Sequence, residues 1–404
     1  MDDNLIDSAT LSLDRRSRLP GAGFFYPDSL DEEYAERRTK EAVSDVETIV
    51  ITDRDADGLA CAALVRAARD AARSPAVAER ALTARLAGED GLDDDDTERS
   101  ESPDSSVALV GASPYSLPEA LDRVAQFAPK SVEVFICDLC PDDYRDVAEE
   151  LPALVDGARS VRWFDHHQWD DEVARQVREA GADLVVGKSD EECSADVTLR
   201  ELDHEFPPHL QELVTVTRDH DLWLKKDARS EDLADYAHWA DNEEYLAIVG
   251  DYGADLPEPV HDYLTERRVE KEALVEKATA RATTHEVGPW TVATTYGRCS
   301  QNEVADALRE AGADAAVVVK PAGSASLRGS DGFAHCHEVA GLVNGGGHPK
   351  AAGCKPDIYN DMLDYAAHWT SDGRATRQVI LAAFEQVAAD VAGRNETAEP
   401  DTAD

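Results

Sequence analysis

Glu47-Thr48-Ile49-Val50-Ile51-Thr52-Asp53-Arg54-Asp55-Ala56-Asp57-Gly58 decides how this chain folds. The first half is short, β-branched and apolar, the pattern of a buried strand. The second half is an acidic loop that runs into the Ala-rich segment Leu59 to Arg69, with a helix-start signal at the junction. Strand, loop and helix in that order open a βαβ unit. Val132 to Cys137 repeats the apolar run and is followed by Asp138. Val161-Arg162-Trp163-Phe164 repeats it again and is followed by Asp165-His166-His167. Val107 to Val110 and Asp183 to Gly187 read as further strands, and Leu117 to Ala128 as a helix. This alternation predicts an α/β fold with a mostly parallel sheet covered by helices on both faces. Ligands of such open sheets collect at the carboxyl ends of the strands, so the three acid- or imidazole-bearing ends aim at one crevice. A fourth element, Leu213 to Arg218, delivers Asp219 and Asp221.

Asp165-His166-His167 is the most informative triplet. Hard oxygen beside borderline nitrogen suits Mn²⁺ or a related divalent ion. Acid clusters of this kind hold two ions ~3.5–4 Å apart and clamp both oxygens of an in-line phosphoryl displacement. Asp53, Asp55 and Asp57, then Asp138, then the triplet, then Asp219 or Asp221 offer one bridging carboxylate, outer carboxylates and a His. In a chain with 84 acids the competing reading of any single Asp is a loop cap or a solvated surface acid. The histidines weigh against it, because the chain has only 12.

From about Asp232 to Thr284 the sequence reads mostly helical, with a long charged segment from Val260 onward. Strand patterns return at Trp290 to Thr295, Ala315 to Lys320 and Ala325 to Arg328. Asn344-Gly345-Gly346-Gly347-His348-Pro349-Lys350-Ala351-Ala352-Gly353 follows. Three glycines let backbone amides approach an anion closely, and His348 can donate to phosphate. A helix expected near Lys350 to Ala352 would add its positive end. Arg328 is a candidate bidentate phosphate ligand. A tight turn and an ordinary surface Arg are the alternatives. The expected organisation is an N-terminal extension (1–45), a first domain (46–230) with an acidic insertion (about 88–106), a helical connector (231–287), a second, smaller α/β domain (288–391) and an acidic tail (392–404).

The 404 residues carry 84 acids against 40 bases, a formal net charge of −44. Self-repulsion on that scale destabilises a compact state at low ionic strength, and strong salt screens it because the Debye length falls to ~3 Å at 1 M. The acid is spread along the whole chain, which points to a high-salt cytoplasm, as in halophilic archaea. The alternative is an acidic protein that avoids polyanions. No basic stripe with interleaved aromatics is visible. Seven cysteines, an odd number, in a chain without a signal-peptide pattern predict reduced thiols in a cytoplasmic setting. Cys137-Asp138-Leu139-Cys140 lacks a second pair to complete a zinc site, and no apolar run approaches membrane-spanning length.

Asp53-Arg54-Asp55-Ala56-Asp57-Gly58, Asp138, Asp165-His166-His167 and Asp219 resemble, in order, the signature motifs of the DHH phosphoesterases. Gly345-Gly346-Gly347-His348 through Gly353 resembles the GGGH signature of the associated DHHA1 domain. Within that family the chain looks most like archaeal RecJ-like exonucleases and short-oligonucleotide phosphodiesterases. The resemblance implies a DHH domain, a smaller DHHA1 domain and two Mn²⁺ ions at the cleft between them, with Mg²⁺ or Co²⁺ as substitutes. It implies Asp55, Asp57, His166 and Asp219 as ligands, Asp138 as the bridge and Asp53 as ligand or support. Asp165 would orient the imidazoles, and His167 would contact metal or scissile phosphate. Gly345, Gly346, Gly347, His348 and Arg328 would hold the substrate. It implies hydrolysis of single-stranded DNA, RNA or short oligonucleotides, with replication or repair proteins as possible partners. A cyclic dinucleotide or nucleoside bisphosphate as substrate, and a Cdc45-like replisome scaffold, are the other readings. The pattern shows no space for an OB-like domain, which favours short substrates.

Overall fold

The structure, a computed structural model, describes residues 28–69, 83, 105–359 and 362–398. Residues 1–27 of the expected extension, 88–104 of the expected insertion and 399–404 of the expected tail lie outside them. The chain divides into two compact units, the first spanning residues 28–265 and the second, among the described residues, 266–398.

The first unit runs α1 (Asp28–Val43), β1 (Thr48–Thr52), α2 (Ala56–Arg69), β2 (Val107–Gly111), α3 (Leu117–Phe127), β3 (Glu133–Cys137), α4 (Glu150–Gly157), β4 (Ser160–Asp165), α5 (Asp171–Glu179) and β5 (Asp183–Val186). Four helices follow: α6 (Ser194–Glu201), α7 (Pro208–Asp221), α8 (Arg229–Trp239) and α9 (Asn242–Tyr252). The five strands form one parallel sheet in the order β2-β1-β3-β4-β5. Strand pleating divides their side chains between two cores. Val50, Phe135, Cys137 and Phe164 pack on one face with α2, α6, α7 and α9. Ile49, Ile51, Val134, Ile136, Val161 and Trp163 pack on the other with α3 and α4. Each fully buried aliphatic or Phe side chain contributes roughly 1.5–3 kcal/mol, so the sheet holds rigidly whatever its loops carry. The strand order reverses between β1 and β3, the switch point at which such sheets bind ligands. Asp53 follows β1 and Asp138 follows β3.

α10 (Glu258–Ala280) spans the division between the units. The second unit then runs β6 (Thr283–Val287), β7 (Trp290–Tyr296), α11 (Gln301–Glu310), β8 (Ala315–Val319), β9 (Ala325–Gly329), α12 (Cys336–Gly341), β10 (Gly345–Gly347), β11 (Ala351–Cys354), α13 (Met362–Thr370) and α14 (Arg374–Ala398). Its six-stranded sheet has the order β10-β11-β9-β8-β7-β6, antiparallel except for the β7–β8 pair. Val292, Val317, Val319, Leu327 and Phe384 pack on one face, and Ala293, Ala316, Val318, Val304 and Leu308 on the other.

Several expectations change. The segment 231–287 is no free-standing connector: Leu233, Tyr236 and Leu246 of α8 and α9 sit in the first unit's core, and β6 belongs to the second sheet. Residues 392–398 of the expected tail continue α14. Lys350 to Ala352 form no helix. His348 and Ala351 close a tight hairpin, the His348 amide donating to the Ala351 carbonyl at 2.7 Å, and β11 begins at Ala351. No helix among the described residues is long and apolar enough to cross a membrane. All seven cysteines are free thiols.

Candidate metal centre

Four elements of the first unit bring acids and imidazoles together. The loop after β1 carries Asp53 and Asp55, and the first turn of α2 carries Asp57. Asp138 follows β3, β4 ends at Asp165 and leads into His166 and His167, and α7 ends at Asp221. Two groups of three lie with their ligand atoms within 4.8 Å of one another: Asp138, His166 and His167, and Asp57, His166 and Asp221. His166 is common to both. Asp138 Oδ1 lies 3.9 Å from His166 Nε2 and 3.9 Å from His167 Nδ1, and Asp221 Oδ2 lies 3.3 Å from His166 Nε2. These gaps are too long or too poorly directed for hydrogen bonds. Donors bound at ~2.0–2.2 Å to one ion stand ~3–4 Å apart, so the spacing fits a shared cation.

The supporting contacts are specific. Asp55 Oδ1 accepts from the amides of Asp57 and Gly58, both at 3.0 Å, which caps α2. Gly58 must lack a side chain, since a Cβ there would sit 2.3 Å from the Asp53 carbonyl oxygen. Both oxygens of Asp57 accept from the start of α6, from the amides of Ser194 at 2.7 Å and Ala195 at 2.9 Å. Asp165 is fully buried; its Oδ1 lies 2.7 Å from His167 Nδ1, and its Oδ2 accepts from Trp169 Nε1 at 2.6 Å. Asp165 therefore orients the second imidazole. Asp138 has φ +56°, the left-handed region that Asp tolerates better than most residues but still at a cost. A buried residue held in that conformation at a sheet switch point marks a site under functional constraint.

The electrostatics are those of a cluster short of positive charge. Burial, then the charges of Asp57, Asp55, Asp221 and Asp165, push the Asp138 carboxyl well above its ordinary range. Burial, then Asp57 and Asp55, do the same to Asp221. Asp57 is raised chiefly by burial, with His166 opposing, and Asp53 is pushed up to about 6 by burial and by Asp55. Burial opposes ionisation of Asp165, but the charge and hydrogen bond of His167 and the Trp169 N–H hold its carboxyl below the usual range. Burial likewise opposes the His167 charge, and Asp165 overrides it and lifts the imidazole to about 9. Asp221 Oδ2 is buried without a hydrogen-bond partner, as is Nδ1 of His166. Hard oxygens that repel one another, beside an unsatisfied carboxylate oxygen and imidazoles, fit a divalent cation.

Asp219 does not join this cluster. Its carboxylate accepts from the amides of Lys226 and Asp227 and from Ser230 Oγ at 2.9 Å, fastening the turn that leads into α8. Asp221 takes the place expected for Asp219. The reason is helical geometry: residues two apart on a helix point in nearly opposite directions, so only one of the pair can face the cluster. Asp53 and Asp55 stand close enough to act on the cluster's charges but outside both three-residue groups. Ser194, the first residue of α6, had no sequence signal.

In the second unit Arg328 lies on β9, opposite Ala351 of β11 and Ala316 of β8. It is partly buried, and its Nε donates to Asn302 Oδ1 at 2.9 Å. Burial lowers its pKa, and burial followed by the Arg328 charge lowers that of Lys320. Among the described residues neither cation pairs with a carboxylate. In so acidic a chain that is informative. Lys320 was legible only as the last residue of an apolar strand pattern. Gly345, Gly346 and Gly347 form the edge strand β10. A Cβ at Gly345 would sit 2.1 Å from the Gly353 carbonyl oxygen, and Gly347 has φ +133°, so close strand pairing already requires these glycines. His348 follows at the hairpin.

No family model matches the chain, and no curated protein matches it in sequence. Among solved structures it is similar to a DHH domain from a protein described as belonging to a family of ribosomal proteins, with TM-score 0.51, 16% identity and coverage of 94% of this chain and 96% of that one. It is also similar to exonuclease RecJ bound to manganese, with TM-score 0.50, 14% identity and coverage of 89% and 94%. The chain thus has the α/β fold of DHH-domain proteins of the RecJ kind.

Proposed function

We propose that this protein is a DHH-type, divalent-metal-dependent phosphodiesterase acting on single-stranded DNA, RNA or short oligonucleotides. The observation that carries the reading is the convergence of Asp57, Asp138, His166, His167 and Asp221 at one sheet switch point, with the Asp57, Asp138 and Asp221 carboxyls held above their ordinary range. Two Mn²⁺ ions, with Mg²⁺ or Co²⁺ as substitutes, would be held by Asp57, Asp138, His166 and Asp221, with Asp53, Asp55 and His167 at the margin. When bound, such ions lower the pKa of water and stabilise charge on phosphoryl oxygens.

The chain's own residues have separate tasks. Asp165 holds Nδ1 of His167 and so fixes the ring that would meet a phosphoryl oxygen. Arg328 and Lys320, cations without a carboxylate partner among the described residues, are suited to a further phosphate of the substrate. His348 and the amides of the β10 edge add donors there. The sequence carries no basic stripe that would give a long strand further phosphate contacts, which favours short strands over long ones. The RecJ relative's manganese supports the choice of ion.

The test is purified protein in high KCl with Mn²⁺, given end-labelled strands of graded length and small nucleotides. Mn²⁺-dependent release of mononucleotides, fastest on short strands and stopped by EDTA, is expected. No hydrolysis of any phosphodiester, or full activity after Asp138→Ala, would overturn the reading.

A further inference from the structure

We propose that Ser194 is a positioning residue that sets the geometry of the metal centre from behind it. The inference rests on the metal-centre reading above and concerns a residue that makes no contact with substrate in that reading. Ser194 is the first residue of α6 and is fully buried. Its hydroxyl donates to Asp138 Oδ1 at 2.9 Å and lies 3.3 Å from Asp165 Oδ1. Its backbone amide donates to Asp57 Oδ2 at 2.7 Å. One residue therefore reaches acids at the start of α2 and at the ends of β3 and β4, three separate segments of chain.

A hydroxyl has one proton to give. Asp165 Oδ1 is already engaged by His167 Nδ1 at 2.7 Å, so the shorter contact to Asp138 receives the proton. That bond is charge-assisted when Asp138 is ionised, the state a cation requires. It also fixes the oxygen that stands 3.9 Å from both imidazoles. The backbone of Asp138 is in the left-handed region, and the Ser194 hydroxyl holds its carboxylate in one direction. Without the hydroxyl, Asp138 loses a donor and is free to turn toward solvent or toward a proton shared with Asp57 or Asp221. Partners that orient metal-binding carboxylates typically govern affinity by ~10–100-fold.

The test uses the full chain, Ser194→Ala and Ser194→Cys, with Mn²⁺ alone as the probe. Affinity is read by calorimetry, the bound ion by its electron paramagnetic resonance spectrum, and folding by the melting temperature in EDTA. The inference expects Mn²⁺ binding to weaken by about 10–100-fold in Ser194→Ala and by less in Ser194→Cys, whose thiol is a weaker donor, with an altered spectrum of the bound ion. A serine that only helps folding would change the melting temperature in EDTA and leave affinity and spectrum alone; that result overturns the inference. Should Ser194→Ala not fold, Ser194→Cys decides, since wild-type affinity in the Cys variant also overturns it. If the unmodified protein binds no Mn²⁺, the metal-centre reading fails first and takes this inference with it. Normal binding by both unmodified protein and Ser194→Ala sinks the Ser194 role alone.

Discussion

The two units solve opposite charge problems. The first gathers Asp55, Asp57, Asp138, Asp165 and Asp221 at the end of a rigid parallel sheet, where burial and mutual repulsion make three of these carboxyls reluctant to ionise. The second leaves Lys320 and Arg328 near enough for one charge to act on the other, partly buried and without a carboxylate partner among the described residues, in a chain that has 84 acids. A fold that only sought stability would have mixed the two, because an unpaired buried charge is expensive. The first unit thus offers a site suited to a cation, and the second a site suited to an anion.

The contrast can be broken most severely at Asp138. Asp138→Asn should lower Mn²⁺-dependent hydrolysis by about 10³-fold or more, equivalent to several kcal/mol of transition-state stabilisation. The same change should raise the melting temperature in EDTA, because it removes one of the repelling acids. An activity assay beside a melting curve shows both signs at once. Next in size is the difference between neighbours on α7. Asp221→Ala should abolish tight Mn²⁺ binding with little loss of folding stability. Asp219→Ala should keep Mn²⁺ affinity but lose about 1–3 kcal/mol by denaturant titration, because the amides of Lys226 and Asp227 lose their acceptor. Equal metal affinities in the two variants would erase the distinction.

In the second unit, Lys320→Ala and Arg328→Ala should raise KM for an oligonucleotide about tenfold each with a smaller change in kcat, the mark of a group that binds substrate away from the reacting bond. A fall in kcat at constant KM would instead place these cations at the chemistry. The smallest effect concerns pH. His167 has its pKa raised to about 9 by Asp165, against the opposing effect of burial. In metal-free protein its pairing with Asp165 therefore stabilises the fold fully below about pH 6.5, and that contribution fades as pH rises through about 9. The stability lost by His167→Asn should be largest at pH 6 and vanish near pH 10; a difference independent of pH would show that the pair is not ionic.

Much of this arrangement was legible in the sequence, for identifiable reasons. β1 and β3 are short apolar runs buried along their whole length, and β4 is buried from Trp163 to Asp165, a pattern that fits parallel strands under helices. Their terminal acids and histidines then fell at one edge of the sheet by topology. What remained hidden was set by direction and not by composition. Asp219 and Asp221 are the same residue type two positions apart, and only the rotation of α7 shows which one faces inward. A helix is expected from the sequence near Lys350 to Ala352, but β11 begins at Ala351 and pairs with β10, so strand pairing decides the segment. Ser194 and Lys320 gave no sequence signal because their importance lies in neighbours 29 to 137 residues away for the first and on an adjacent strand for the second.

If acids from separate strands and helices surround bound cations at the β1–β3 switch point, a crystal grown in MnCl₂ and measured at the manganese absorption edge will show it. Strong anomalous peaks are expected within bonding distance of Asp138, His166 and Asp221, and are expected to be lost in Asp138→Asn. A crystal that binds Mn²⁺ only at surface acids, with those three side chains unmoved and unligated, would contradict that arrangement.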